Sequence, residues 1–247
     1  MVARDDKSAV HRLALALVWL AVALSGVVFS EPAPVDVLMA GVIGLLPVIG
    51  LIRIPPALLV FLSIWLVAGL SSFVAVAAAI EPIKAIVHNA VGIFLYLGSF
   101  VLAGFVIARP LQHTRLIYSA YGVAALIAAL AGIAGYFGLI PGASDLLTKF
   151  GRARGTFKDP NVFGPFLVPA LLYAVSRIVH KPLWAIAPPL IGFGVLGFAL
   201  LLSFSRGAWL CFAIALSVYG YLLFVTARTN WLRVRLMSFA LFGVVLG

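Results

Sequence analysis

Apolar runs recur along the whole chain, separated by short polar breaks. The runs predict helices over about 13–30, 35–52, 57–79, 89–108, 116–139, 161–179, 185–203 and 207–226. Each is close to the roughly 20 residues that a helix needs to cross a bilayer. A ninth run starts near 236 and reaches only about twelve residues to Gly247, too few to cross, so further sequence beyond it is expected. The fold class read from this pattern is all-α: a polytopic helical membrane protein with about 8 complete transmembrane helices plus a truncated ninth. It reads as a single transmembrane domain over 1–247, incomplete at its C-terminal end. The first run, Leu13 to Phe29, follows Arg4, Lys7 and Arg12 as a signal peptide would. It is longer than a signal h-region, and Pro32 closely follows the cleavage candidate Ser30, so an uncleaved span is expected.

Composition agrees with that solvent. The chain is 64% hydrophobic and 10% charged, whereas a soluble domain carries roughly 25% charged residues. Its net charge of +10 is scattered through short loops without a basic, aromatic-interleaved face, which excludes nucleic acid as a partner. Sorting Lys and Arg by alternate loops places eleven on the side of the N-terminus and six on the other. That asymmetry predicts a cytoplasmic N-terminus. Five of the six lie in two breaks: Lys149, Arg152, Arg154 and Lys158 in the loop 140–160, and Arg206 in the turn 203–207.

These two breaks carry the candidate chemistry. Asp159-Pro160-Asn161 is a helix start, with Asp as N-cap and Pro at the first helical position. Free N–H groups near Asn161, Val162 and Phe163 are expected to attract an anion, helped by Arg152, Arg154 and Lys158. Pro165 and Pro169 each remove a backbone hydrogen bond, which predicts a kinked, partly hydrated half-helix at a cavity entrance. The chain then descends and returns, at about 1.5 Å per residue, so Arg206 comes back to the side of Arg154. A charged Arg at the centre of a spanning helix costs about 2.5–3.5 kcal/mol, less near the interface, and an anionic partner offsets it. Ser203 and Ser205 add hydroxyls beside it.

Plainer readings compete. A cationic loop can be solvated or held by acidic lipids, and Arg206 can snorkel to the interface. The loop 81–89 reads as a short amphipathic stretch lying at the outer interface; His88 follows Lys84 in it, with no carboxylate placed to orient it, and reads as structural. The segment 109–115 reads as an anchor to anionic headgroups, with His113, like His11 and His180, at the interface. Trp184 and Trp231 read as interfacial anchors. Cys211 is the single cysteine, which leaves neither disulfide nor thiolate-metal chemistry. Asp145 and Asp159 lack metal-ligand spacing, so no metal and no cofactor are expected.

The stretch Arg154-Gly155-Thr156-Phe157-Lys158-Asp159-Pro160-Asn161, followed by Ser205-Arg206-Gly207-Ala208-Trp209, resembles the signature of O-antigen ligases and related polysaccharide polymerases. The motif-bearing part runs from Arg152 to about Trp209; the earlier spans agree only in hydropathy. The resemblance implies a metal-independent glycosyltransferase of the bacterial inner membrane. Its partners would be a polyprenyl-diphosphate-linked glycan donor, a lipid A core or growing glycan acceptor, and membrane lipids. It implies Arg154 and Arg206 as catalytic residues on the diphosphate. Arg152, Lys158, Asn161 and Ser205 would bind substrate. In that family a histidine on a later large periplasmic loop is needed for activity, and this chain shows no counterpart, so the general base is expected beyond residue 247 and this piece alone inactive. Two rival classes use the same cations: a transporter or flippase for a lipid-linked or anionic solute, and a non-catalytic membrane scaffold. Asp and Glu read as confined to the tail and the loops, which disfavours ion-coupled transport but not passive flipping.

Overall fold

A computed structural model of the protein describes residues 9–30, 33–227 and 233. The apolar run starting near 236 lies outside them. The described chain is all-helical apart from one small hairpin. In order, α1 covers Ala9–Leu24, α2 Pro34–Val48, α3 Pro56–Ser71 with a 3-10 extension Ser72–Ala78, α4 Pro82–Ala108 and α5 Pro110–Tyr136. A short α6, Ser144–Leu147, leads into strands β1 (Thr148–Lys149) and β2 (Arg152–Ala153); then come α7 Pro160–His180, α8 Ala187–Leu202 and α9 Arg206–Thr226.

Among the described residues, five helical stretches are long and apolar enough to cross a membrane: Pro56–Ala78, Pro82–Ala108, Pro110–Tyr136, Pro160–His180 and Arg206–Thr226. Three others, α1, α2 and α8, are apolar but span only 15 or 16 residues. Large apolar side chains such as Val60, Phe61, Ile64 and Val67 of α3 point outward, and α3 buries none of its residues. Apolar surface on this scale requires an apolar solvent. The architecture is that of a multi-pass helical membrane protein.

The described residues gather in two compact units. One is formed by residues 9–25 and 33–120, the other by residues 26–30 and from Tyr121 onward. In the first, α2 packs on α1 and α4, and α3 packs on α4. Asp36, in the first turn of α2 rather than in a loop, accepts a 2.7 Å hydrogen bond from Ala33 N. That bond satisfies a donor left over at the helix start. An apolar cavity of about 280 Å³ between α3 and α4 is lined by residues including Phe61, Trp65, Tyr96 and Phe100.

Two expectations for this unit change. The stretch 81–89 is not a separate interfacial segment but the opening of α4, with Pro82 at its first position. The segment 109–115 is likewise the corner into α5, and His113 is fully buried, not interfacial. Its ring stacks flat on Phe105, with centroids 3.7 Å apart, and its Nδ1 meets the Phe105 carbonyl. The break at Arg109, followed by Pro110 without an N–H, leaves the last carbonyls of α4 short of helical donors. The imidazole fills that gap, which is why a polar ring lies in an apolar corner.

The second unit is centred on α7, which packs against α8 and α9. Phe163, Leu167, Leu171, Leu196, Ala199, Leu200 and Ala208 share its core with Ala125, Ala128 and Ala129 of α5.

Candidate functional site

One end of the second unit gathers the end of α5, the loop 137–159, the starts of α7 and α9, and the turn 203–205. Small residues make the close packing possible. A Cβ on Gly135 would lie 2.2 Å from Leu147 Cβ, and one on Gly155 would lie 2.5 Å from the Ala128 carbonyl oxygen. The loop therefore rests backbone-to-backbone on an Ala/Gly stripe of α5. From its other side, Val28 N donates to the Thr156 carbonyl at 2.8 Å, and Thr156 Oγ1 donates to the Gly26 carbonyl.

The loop turns on a two-residue hairpin. Thr148 pairs with Ala153 and Lys149 with Arg152, around Phe150 (φ 53°) and Gly151 (φ 70°). Positive φ at both central residues is the type I′ geometry that fits the twist of paired strands. The turn places Lys149 and Arg152 side by side, both directed toward the start of α7.

Arg152 joins the two polar breaks. Its Nε donates to the Ser203 carbonyl at 2.8 Å and its Nη2 to Asn161 Oδ1 at 2.9 Å. Lys149 Nζ lies 3.2 Å from Asp159 Oδ2. Asp159 caps α7 as the sequence suggests, its Oδ1 accepting from Asn161 N at 2.8 Å. That backbone hydrogen bond, reinforced by Lys149 and Arg152 against a partial loss of solvent, holds the Asp159 carboxyl below the usual carboxylate range.

Several expectations for individual residues are corrected by this geometry. The N–H groups at the start of α7 are not free: Asn161 N is taken by the Asp159 carboxylate, and Val162 N and Phe163 N donate to the Asp159 carbonyl at 3.1 Å. The first half of α7 is packed rather than hydrated, with Phe163, Gly164, Leu167 and Val168 buried. A Cβ on Gly164 would lie 2.7 Å from Ala208 Cβ, so α7 and α9 touch where a cavity entrance was expected.

Arg154, expected on the ligand, spreads its guanidinium over three carbonyls of its own loop. Nε donates to Leu146 O at 3.1 Å, Nη1 to Lys158 O at 3.1 Å and Nη2 to Asp145 O at 3.0 Å. Ser205, expected to bind substrate, is buried; its hydroxyl accepts from Ala208 N at 3.4 Å as the cap of α9. Ser203 is also buried, its hydroxyl donating to Leu200 O at 2.6 Å. Lys158 is half-buried beside Asp159, and its carbonyl is one of the three on Arg154. Arg206 is exposed at the first position of α9 and makes no hydrogen bond or ion pair to a described residue.

Phe204 was missed by sequence reasoning. It sits between Ser203 and Ser205 with φ 46°, a conformation that bulky side chains rarely adopt. The short polar break flanked by two serines was the available signal for a forced turn. Among the described residues, no group of three His, Cys, Asp or Glu side chains gathers as a metal site would require.

The arrangement is a cationic pole built on a braced loop. Arg152 retains donors beyond the two it uses, and Arg206 retains all five. Such a pole can receive an anion bearing several oxygens. No family model, no curated protein and no solved structure matches the chain.

Proposed function

We propose that this pole holds the diphosphate of a polyprenyl-diphosphate-linked glycan while the glycan is transferred to an acceptor. The observation that carries the reading is the junction of the two breaks. Arg152 ties the loop to the Ser203 carbonyl, and Arg206 begins α9 three residues later with its guanidinium uncommitted among the described residues. In this reading Arg206 and Arg152 contact the phosphate oxygens, Lys158 and Lys149 add positive field, and Asn161 orients Arg152. Arg154 shapes the loop through its three carbonyls.

Departure of a diphosphate from the anomeric carbon increases charge on its oxygens. Guanidinium donors fixed in advance stabilise that growing charge in the transition state, and low-dielectric surroundings strengthen the effect. The acceptor hydroxyl attacks the anomeric carbon and loses its proton to a general base as the diphosphate departs. Acceptors of the required chemistry are a lipid A core or a growing polysaccharide. The resemblance of the two motifs to O-antigen ligases and polymerases supports this choice over a flippase or a scaffold.

The same reading places the protein in the bacterial inner membrane, with its N-terminus cytoplasmic and the cationic pole periplasmic. All eight apolar helices then cross. A helix of 16 residues, the length of α1 and α8, extends only about 24 Å against a core of roughly 30 Å. Local thinning of the bilayer accommodates that mismatch.

The test is transfer of glycan from its carrier by the full-length protein. Arg206→Ala should abolish transfer with membrane insertion intact, while Arg177→Ala, at the opposite end of α7, should be nearly silent. Equal loss in both variants would sink the assignment.

A further inference from the structure

Beside the cationic pole lies a chain of four aromatic rings that the site described so far does not use. Phe198 of α8 stacks on Phe137 with centroids 6.0 Å apart; Phe137 meets Tyr136 at 5.3 Å, and Tyr136 meets Phe204 at 6.3 Å. Each ring touches the next, yet all four remain exposed: Phe198 by 44%, Phe137 by 54%, Tyr136 by 37% and Phe204 by 48%.

The last ring belongs to the turn that carries Arg206. Phe204 follows Ser203, whose carbonyl holds Arg152, and precedes Arg206 by two residues. A bulky side chain at φ 46° persists only where the surroundings over-determine it. Here the backbone N–H of Phe204 donates to Leu201 O at 3.0 Å, and the turn presents the ring to Tyr136. From Phe204 to Phe198 the band follows α8 for about six residues, roughly 9 Å at the helical rise. One end of the band thus meets uncommitted positive charge, and the other lies deeper along an apolar helix.

An interfacial aromatic belt is the plainer account. Belts favour Trp and Tyr, whose polar tips sit at headgroup level. Three of these four rings are Phe, and they form one contiguous line instead of a scatter around the unit.

Resting on the proposed function, we infer that this band is the track for the apolar chain of the carrier, seating its isoprenoid units next to the phosphates. The occupant is an amphiphile with an anionic diphosphate at Arg206 and a branched apolar chain lying along Phe204, Tyr136, Phe137 and Phe198. Charge and apolarity then match in the same order along protein and ligand. Contiguous rings supply a large apolar contact with few rotatable bonds.

The experiment measures the affinity of the full chain, in phosphatidylcholine nanodiscs, for farnesyl diphosphate and for inorganic pyrophosphate. The Phe137→Ala/Phe198→Ala double variant should weaken farnesyl diphosphate about tenfold and leave pyrophosphate unchanged. The Phe137→Leu/Phe198→Leu pair, which keeps apolar volume and protects the fold, should weaken it about threefold. Arg206→Ala should weaken both probes. Equal farnesyl diphosphate affinity in the wild type and both ring variants, with pyrophosphate still bound, would overturn the track and leave the anion site standing. Failure of the wild type to bind either probe would overturn both.

Discussion

Arg152 Nε and the carbonyl of Ser203, 51 positions apart in the chain, are joined by a hydrogen bond of 2.8 Å. The same guanidinium holds Asn161 at 2.9 Å. One side chain thus fixes the spacing of the loop, the start of α7 and the turn before α9. A planar fork suits this task, because its donors diverge at set angles; an ammonium offers no such fork.

Arg152→Lys should therefore keep the charge and lose the bridge. We expect destabilisation of about 1.5–3 kcal/mol, the range for a hydrogen bond to a charged group, with cleavage of the loop 148–158 by added protease accelerated. Wild-type cleavage rates in Arg152→Lys would show that the bridge is not what holds the loop.

Gly155 combines φ 55° with a Cβ position 2.5 Å from the Ala128 carbonyl oxygen. Alanine there meets backbone, which cannot rotate aside. Gly155→Ala should lift the loop from α5 and destabilise the second unit by about 1–3 kcal/mol. Gly207→Ala, where a Cβ would meet nothing within 4 Å, serves as the tolerated control. Comparable melting temperatures for the two variants would refute the close-approach account.

His113 closes the corner between α4 and α5 from inside the first unit. Its replacement by Ala removes the ring stacked on Phe105 and the contact with the Phe105 carbonyl. A loss of about 2–4 kcal/mol is expected from the cavity and the unsatisfied carbonyl together. His113→Gln, which retains a donor, should recover part of it. Faster hydrogen exchange at the end of α4 in the Ala variant alone is the discriminating readout.

The Asp159 carboxyl titrates below its ordinary value because the folded loop favours its ionised form. The sign follows from linkage: the folded-state pKa is depressed, so the stabilisation is present above the unfolded pKa of about 3.9. It is lost as pH falls from there through the folded value. Asp159→Asn keeps a good N-cap but not the ion pair with Lys149. Loop protection measured between pH 6 and pH 3, a window set about the ordinary carboxylate value, should fall more in wild type than in Asp159→Asn. Parallel curves would assign the acid sensitivity elsewhere.

What the sequence made legible was local. Apolar runs give most helix ends to within a few residues, but α1 stops at Leu24 where the run suggested 30, α4 starts at Pro82 where it suggested 89, and α5 starts at Pro110 where it suggested 116. The Asp159-Pro160 start of α7 is legible because capping chemistry is a property of adjacent residues. The commitments of Arg154 were not legible, since its acceptors are main-chain carbonyls and any residue can supply one. Ser205 looked like a ligand group because a capping hydroxyl and a binding hydroxyl share the same side chain. His113 looked interfacial because its neighbours Arg109 and Arg115 are charged; only the corner at Pro110 explains its burial.

The bridge from Arg152 to Ser203 also dictates an order of events during synthesis. Its acceptor emerges from the ribosome 51 residues after its donor, about 3–10 s later at 5–20 residues per second. Until α8 and the following turn are inserted, the loop must wait with the Arg152 Nε bond to that turn unmade, even though the helix that carries the loop is already in place. The pole is therefore assembled only after α7 and α8 are inserted, and a pause in translation after α8 would fall where the two polar breaks first meet.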